Sequence, residues 1–341
     1  MRNADGSWEK FDDYVVDFAL DALAAGRRVA LVTLVLIDGA SPRALGAQMA
    51  VGEDGDWVGY LSGGCIERAV ISEALAAIEE GRNRRIRYGK GSPYLDISLP
   101  CGSAIELYFD VKLSEQDLRP VADAVADRTE AGFSFLAEDC ETSVNNTYSM
   151  TYLPRRRLVV LGTGPVAVLL CRLAAASSFE VALYSNDEPT LGYAAATGAA
   201  THPLKTARRV PGIDIDSRTA IAFLFHDHDW EEELLPAVLG SDAFYIGAIG
   251  SRRTHGKRAE MLRQRGISPI DIERIHGPAG LFAGSKSAPD IALSILAEVV
   301  KLDPNARDDR LAEGSIRPRA TAMDAAEARL DCRAPDCSAR N

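Results

Sequence analysis

Leu158-Val159-Val160-Leu161-Gly162-Thr163-Gly164-Pro165-Val166-Ala167 decides the fold. Four branched apolar residues read as a buried strand. The glycines that follow let the chain turn tightly and let its backbone come close to a bound group. Val166 to Ala175 is apolar and helical, and Glu180 to Tyr184 is the next strand. Strand, Gly-x-Gly-x-x-Ala and helix in that order form the dinucleotide fingerprint. The spacing predicts a doubly wound parallel sheet over about 158–303. Later strands fit it: Thr219 to Phe225, then Ala243 to Ile249. The second strand of such a domain ordinarily ends in an acid that bonds the ribose hydroxyls. Alternation puts Ser185 in that place here, with Asp187 two residues late. Ordinary NAD use is therefore doubtful, and a nucleotide or dinucleotide in the Rossmann cleft stays an open expectation.

In an open α/β sheet, ligands sit beyond the carboxyl ends of the strands. Gly162 and Gly164 lie there. So do His226 and His228, two apart, which could bond a ligand; no third metal ligand is evident, and no metal is expected. Gly250-Ser251-Arg252-Arg253 precedes a helix read from about His255, a phosphate nest with two cations. Gly284-Ser285-Lys286 leads to a third helix start, with Ser287 its expected N-cap.

The N-terminal part reads as a second, smaller α/β domain, over 1–112. An amphipathic helix is expected from Phe11 to Ala25. Strands follow from Arg28 to Ile37, Gln48 to Gly52 and Trp57 to Leu61, the last two a hairpin about Asp54-Gly55-Asp56. Then comes Ser62-Gly63-Gly64-Cys65-Ile66-Glu67, a glycine turn opening a helix that reaches Gly81. A helix start offers free N–H donors and partial positive charge, and a thiol there has a lowered pKa. Further strands are read at Arg84 to Tyr88, Leu95 to Leu99 and Ile105 to Val111. The last two flank Pro100-Cys101-Gly102-Ser103, a second Cys-Gly turn. Arg43, in the loop after the first strand, reads as available for an anion. Residues 113–157 read as a connecting helix, capped by Ser114 and Asp117, and linker strands. Beyond Asp303 a polar tail is expected, 304–341, with a peripheral helix about Ala320 to Leu330 or no order.

The 341 residues carry a net charge of −11, which argues against broad binding to nucleic acid or anionic membrane and leaves room only for a local basic cleft. No apolar run reaches the length of a membrane span, and no signal peptide is seen, so a cytoplasmic protein is expected. Its six cysteines then read as free thiols, ligands or reactive groups.

Taken in order, these motifs resemble the XdhC/CoxI family of accessory proteins for molybdenum hydroxylases. The likeness rests on Gly39-Ala40-Ser41-Pro42-Arg43, Gly46-Ala47-Gln48-Met49 and Ser62 to Glu67. It continues with His226-Asp227-His228, Tyr245 to Arg253, Gly280-Leu281 and Ile291 to Glu298. The resemblance implies a chaperone rather than a turnover enzyme. Such a protein binds molybdenum cofactor (molybdopterin) and holds it while a cysteine desulfurase or sulfurtransferase adds the terminal sulfur. It then delivers the cofactor to an apo hydroxylase of the xanthine dehydrogenase type. A homodimer is implied as well. Cys65, Cys101 and Glu67 are the residues expected to border the chemistry. The competing readings are an NAD(P)-dependent oxidoreductase, with His226, His228 or Tyr245 as proton relay, and a non-catalytic docking protein of a hydroxylase complex.

Overall fold

The computed structural model describes residues 6–64, 66–92, 103–137, 146–206, 212, 214–225, 229–282 and 284–305. It is an α/β protein with two main sheets. In chain order the first half comprises α1 (Val16–Ala24), β1 (Val29–Asp38), β2 (Gln48–Gly52), β3 (Trp57–Gly59), α2 (Glu67–Glu80), β4 (Arg84–Gly89) and β5 (Ala104–Asp110). These strands form an antiparallel sheet in the order β3-β2-β1-β5-β4. The expected hairpin pairs Val51 with Trp57. β1 is central and apolar along most of its length, because helices cover both its faces. Ile66, Val70, Ala74 and Ile78 of the second helix segment pack on one face, and α1 lies on the other.

α1 begins later than its periodicity suggests. Gly59 donates its N–H to Lys10 O at 2.8 Å, and Tyr14 donates to the Asp12 carboxylate, which holds residues 10–14 outside the helix. Next come α3 (Glu115–Ala126) and the hairpin β6 (Ala131–Ala137) and β7 (Asn146–Tyr152). Ser114 donates its backbone N–H to Asp117 Oδ2 at 2.8 Å, the cap read from the sequence. The hairpin packs tightly. Phe135 stacks between Tyr108 and Tyr148, and its residues share a core with α1 and α3.

The second half is β8 (Arg157–Gly162), α4 (Pro165–Ala175), β9 (Glu180–Ser185), α5 (Glu188–Ala195) and β10 (Ala200–Pro203). It continues with β11 (Thr219–Leu224), α6 (Asp229–Leu239), β12 (Tyr245–Ala248), α7 (Arg252–Gln264), α8 (Pro269–Glu273), β13 (Ile275–His276) and α9 (Ala288–Leu302). All six strands are parallel in the order β10-β9-β8-β11-β12-β13, the Rossmann order. α4 and α9 cover one face, and α6, α7 and α8 the other. The strand order reverses between β8 and β11. There a Cβ on Gly162 would lie 2.6 Å from Leu224 backbone and side chain, so only glycine permits the two strands to approach. No helix of the described residues is long and apolar enough to cross a membrane. The expected strand at Leu95 to Leu99 and the tail helix lie outside the described residues.

Candidate functional site

Two edges collect the residues singled out by sequence. The first is one end of the antiparallel sheet. Asp38 closes β1 opposite Ala104, which opens β5, and Gly89 closes β4 beside the same residue. β3 runs in the direction of β1, so the chain leaves it toward that same end. β3 stops at the level of Val32, six residues short of Asp38, and the chain from there runs through Gly64, which precedes Cys65, toward the end where Ser103, two residues after Cys101, enters β5. β3 and β5 are three strand spacings apart, roughly 14 Å. Gly39, with φ +97°, touches Ser103: a Cβ there would lie 2.9 Å from the serine Cβ. The first signature loop thus abuts Ser103, which leads into β5. Cys65 and Cys101 themselves lie outside the described residues.

Glu67 holds the glycine turn from within. It accepts the Ser62 N–H at 2.8 Å, and the Ser62 hydroxyl lies 2.9 and 2.8 Å from its two oxygens. Gly64 in turn donates to Ser62 Oγ at 3.2 Å. Glu67 is 8% exposed, so its carboxylate shapes the turn rather than facing solvent. Gly63 and Gly64 are exposed, with open space where a Cβ would stand. Arg43 differs from its expectation. It donates to Tyr60 OH at 2.7 Å, stacks on that ring with Cζ 3.9 Å from the centroid, and pairs with Asp13. An acid and an aromatic face nearby have already engaged the cation.

The second edge lies at the carboxyl ends of the parallel strands. Gly164 caps α4 with φ +82°, and Pro165 opens the helix, which suits a position where an N–H has no helical partner. The Gly164 N–H goes to Thr190 Oγ1 at 2.9 Å, and the Thr190 hydroxyl is held by Asp187 at 2.5 Å. Hydrogen bonds from the Thr190 hydroxyl and N–H hold the Asp187 carboxyl below its usual value. Ser185 is fully buried. Asp187, the late acid, is thus the N-cap of α5 and one link in a closed network. Sequence reading missed Thr190, although an Asp followed by Pro within the first helical turn is a helix-start signal.

Gly250, with φ +131°, turns the chain into α7, and Ser251 caps it by accepting the Thr254 N–H at 3.1 Å. The helix starts three residues earlier than expected, so Arg252 and Arg253 occupy its first turn. Both are exposed and make no ion pair among the described residues. Cations at a helix start oppose its dipole. An anion there would satisfy the dipole and the arginines together. Ser287 caps α9 as read, accepting the Asp290 N–H at 3.3 Å, with exposed Lys286 just before it and Ser285 half-buried. His226 and His228 lie outside the described residues.

A buried polar cluster beside this edge was only partly legible. Tyr245 lies along the sheet over Gly247, stacks on His276 with centroids 5.0 Å apart, and donates to Glu298 Oε2 at 2.7 Å. Burial, then the Glu298 charge, pushes the Tyr245 hydroxyl well up, so it stays a protonated donor. Glu298 also accepts the Gly280 N–H at 2.7 Å, fixing the loop after β13. Burial, then Arg258, lowers the His255 pKa.

With both edges in view, comparison with known sequences gives the family. Residues 22–89 match the profile described as the XdhC and CoxI family, and residues 158–299 that of the XdhC Rossmann domain. The molybdenum cofactor insertion chaperone PaoD of Escherichia coli (strain K12) is 36% identical over 310 residues, covering 87% of this chain and 91% of PaoD. The chain belongs to the XdhC and CoxI family. A probable xanthine dehydrogenase component of Bacillus subtilis (strain 168) is 24% identical, covering 83% of this chain and 96% of that protein. In fold the chain resembles a solved structure described as a xanthine dehydrogenase from Bacillus halodurans. The TM-score is 0.69 at 21% identity, covering 86% of this chain and 96% of that one.

Proposed function

We propose that this chain binds molybdenum cofactor, holds it while a sulfurtransferase supplies the terminal sulfur, and delivers it to a xanthine dehydrogenase-type hydroxylase. The observation that carries this is the likeness to the insertion chaperone PaoD over nearly its whole length. The residues present fit the group. Its phosphate suits the Gly250–Arg253 turn, where two arginines without an ion pair among the described residues stand against a helix dipole that prefers an anion. Ser285 and Lys286 lie at a further helix start on that edge. Soft sulfur chemistry suits Cys65 and Cys101; the chain runs from β3 through Gly64 toward the sheet end where Ser103 enters β5. Glu67 shapes the turn that carries Cys65. The bound cofactor would supply the molybdenum centre; the chain would supply backbone N–H and guanidinium donors for its phosphate, and thiols. The test is retention: Arg252→Glu with Arg253→Glu should lower the pterin carried by the purified protein by about tenfold or more. Unchanged retention would remove this turn from the site.

A second reading, an NAD(P)-dependent oxidoreductase, is favoured by the strand order and the Gly-x-Gly-x-x-Ala turn. Against it stand the buried Ser185 and the engagement of Asp187 and the Gly164 N–H with Thr190. Titration with NADH, followed by nicotinamide fluorescence, separates the two. Saturable binding with hydride transfer to a carbonyl compound would favour the oxidoreductase.

A further inference from the structure

β9 lays out a hollow on one face of the parallel sheet, the face that α6 and α7 cover further along. Alternation puts Glu180, Ala182 and Tyr184 on that face. The register carries each level across to the neighbouring strands. Arg157 of β8 lies beside Glu180, Val159 and Ala200 flank Ala182, and His202 of β10 lies beside Tyr184. A row of small apolar residues therefore separates a charged row from an aromatic one. The two walls stand about 13 Å apart along β9, and three strands give a floor roughly 10 Å wide. A doubly wound sheet ordinarily carries helices on both faces. Among the described residues between β10 and β11 there is no helix, and a cavity of about 340 Å³ lies over the small row. Clefts that hold small ligands begin at about 300 Å³.

The walls offer acceptors at one end and donors at the other. At the charged end, Glu180 Oε2 takes Arg128 at 2.9 Å and lies 3.4 Å from Arg157 Nε. Its Oε1 has no partner among the described residues. Arg157 Nη1 donates to Asp214 O at 2.7 Å and so draws the crossover from β10 to β11 against the sheet. The exposed Asp214 carboxylate, which also lines the cavity, makes no ion pair among the described residues. At the aromatic end, Tyr184 and His202 stack with centroids 4.5 Å apart. Burial pushes the Tyr184 hydroxyl up, so it stays a protonated donor. Neither that hydroxyl nor the imidazole has a hydrogen bond among the described residues. Two carboxylates against one guanidinium disfavour an anion here, the reverse of the Gly250–Arg253 turn.

We propose that this cavity binds an uncharged, flat nitrogen heterocycle of nucleobase size, a guanine-type base. The ring lies on Val159, Ala182 and Ala200. Its neighbouring N–H donors meet the carboxylates of Asp214 and Glu180, and its ring acceptors meet the Tyr184 hydroxyl and the His202 imidazole. The site lies apart from the Gly250–Arg253 turn and does not depend on the cofactor-binding reading. Calorimetric titration of the full chain with guanosine tests it. One guanosine per chain should bind saturably, with a Kd below about 1 mM. Inosine, which lacks the exocyclic amine, should bind about tenfold more weakly, and Asp214→Asn should bring guanosine down to the level of inosine. Ala200→Trp, at an exposed position of the edge strand, should fill the cavity and weaken binding by about tenfold or more. Asp214 is exposed too, so its replacement leaves the fold intact if the indole does not. Absence of saturable binding, or binding that Ala200→Trp and Asp214→Asn leave unchanged, overturns the proposal. Inosine that binds as tightly as guanosine overturns the assigned base. Guanosine that releases pterin carried by the native chain would place it in the cofactor's site instead, and the separate cavity site would fall. A chain that binds guanosine but never carries pterin refutes the cofactor-binding reading and leaves this one standing.

Discussion

Gly162 shows how one residue sets the geometry of the Rossmann half. Its missing side chain lets β8 and β11 meet at the reversal of strand order. Gly162→Ala would push a methyl into Leu224 backbone atoms at 2.6–2.8 Å, which cannot move aside as a side-chain tip can. The expected cost is about 1–3 kcal/mol, read from urea unfolding. A loss below a few tenths of a kcal/mol would mean that the strands separate easily. Gly162 was legible because its spacing belongs to a fingerprint. Thr190 was not, because no pattern in the sequence says that its hydroxyl will meet the Gly164 N–H 26 positions earlier. Arg43 misled in the opposite direction. Its loop signature was clear, but Asp13 and Tyr60, which claim it, come from distant segments.

Among the elements, α7 carries the most information about function. Its first turn holds Arg252 and Arg253 and no acid, whereas α9 and α5 each begin with an acid there. A helix selected for stability alone would not be charged this way. Arg252→Glu with Arg253→Glu should therefore raise stability by about 0.3–1 kcal/mol per site while pterin retention falls. The two signs are the point: a melting temperature that drops along with retention would argue that the arginines serve the fold. Elements with an unbroken apolar run, such as β1 and β8, or a helical period, such as α9, were plain in the sequence. Shorter ones were not. α5, β10, α8 and β13 have two to eight residues each, too few to show a period, and they exist because the sheet edge and its loops pack around them. The β6–β7 hairpin read as linker strands because its apolar residues become a core only against Tyr108 and α3.

At the scale of the molecule, arginines join the halves among the described residues: Arg128 bonds Asp216 and Glu180, and Arg155 bonds Asp12. Asp12 is 1% exposed, and burial alone would raise its pKa, but the two bonds from Arg155 hold it below 3.8. A carboxyl depressed in the fold adds stability above its unfolded pKa and loses it as pH falls through the lower, folded value. The junction should thus hold at neutral pH and loosen only below about pH 3.8. Limited proteolysis between residues 152 and 157 across a pH series would show it, and Asp12→Asn should remove that dependence. Cleavage that is equally fast at pH 7 and pH 3 would contradict it. The pattern of strands, turns and helices pointed to two domains; that they join at the starts of the parallel strands, away from the anion edge, emerges only from the topology.

The most direct test of the account is the pterin content of the native protein. Full-length chain, purified from cells that make molybdenum cofactor, is heated and oxidised, and the released pterin is measured by fluorescence against protein concentration. The account predicts a pterin content that rises toward one per chain as cofactor supply increases. Protein that stays free of pterin at every level of supply would contradict it.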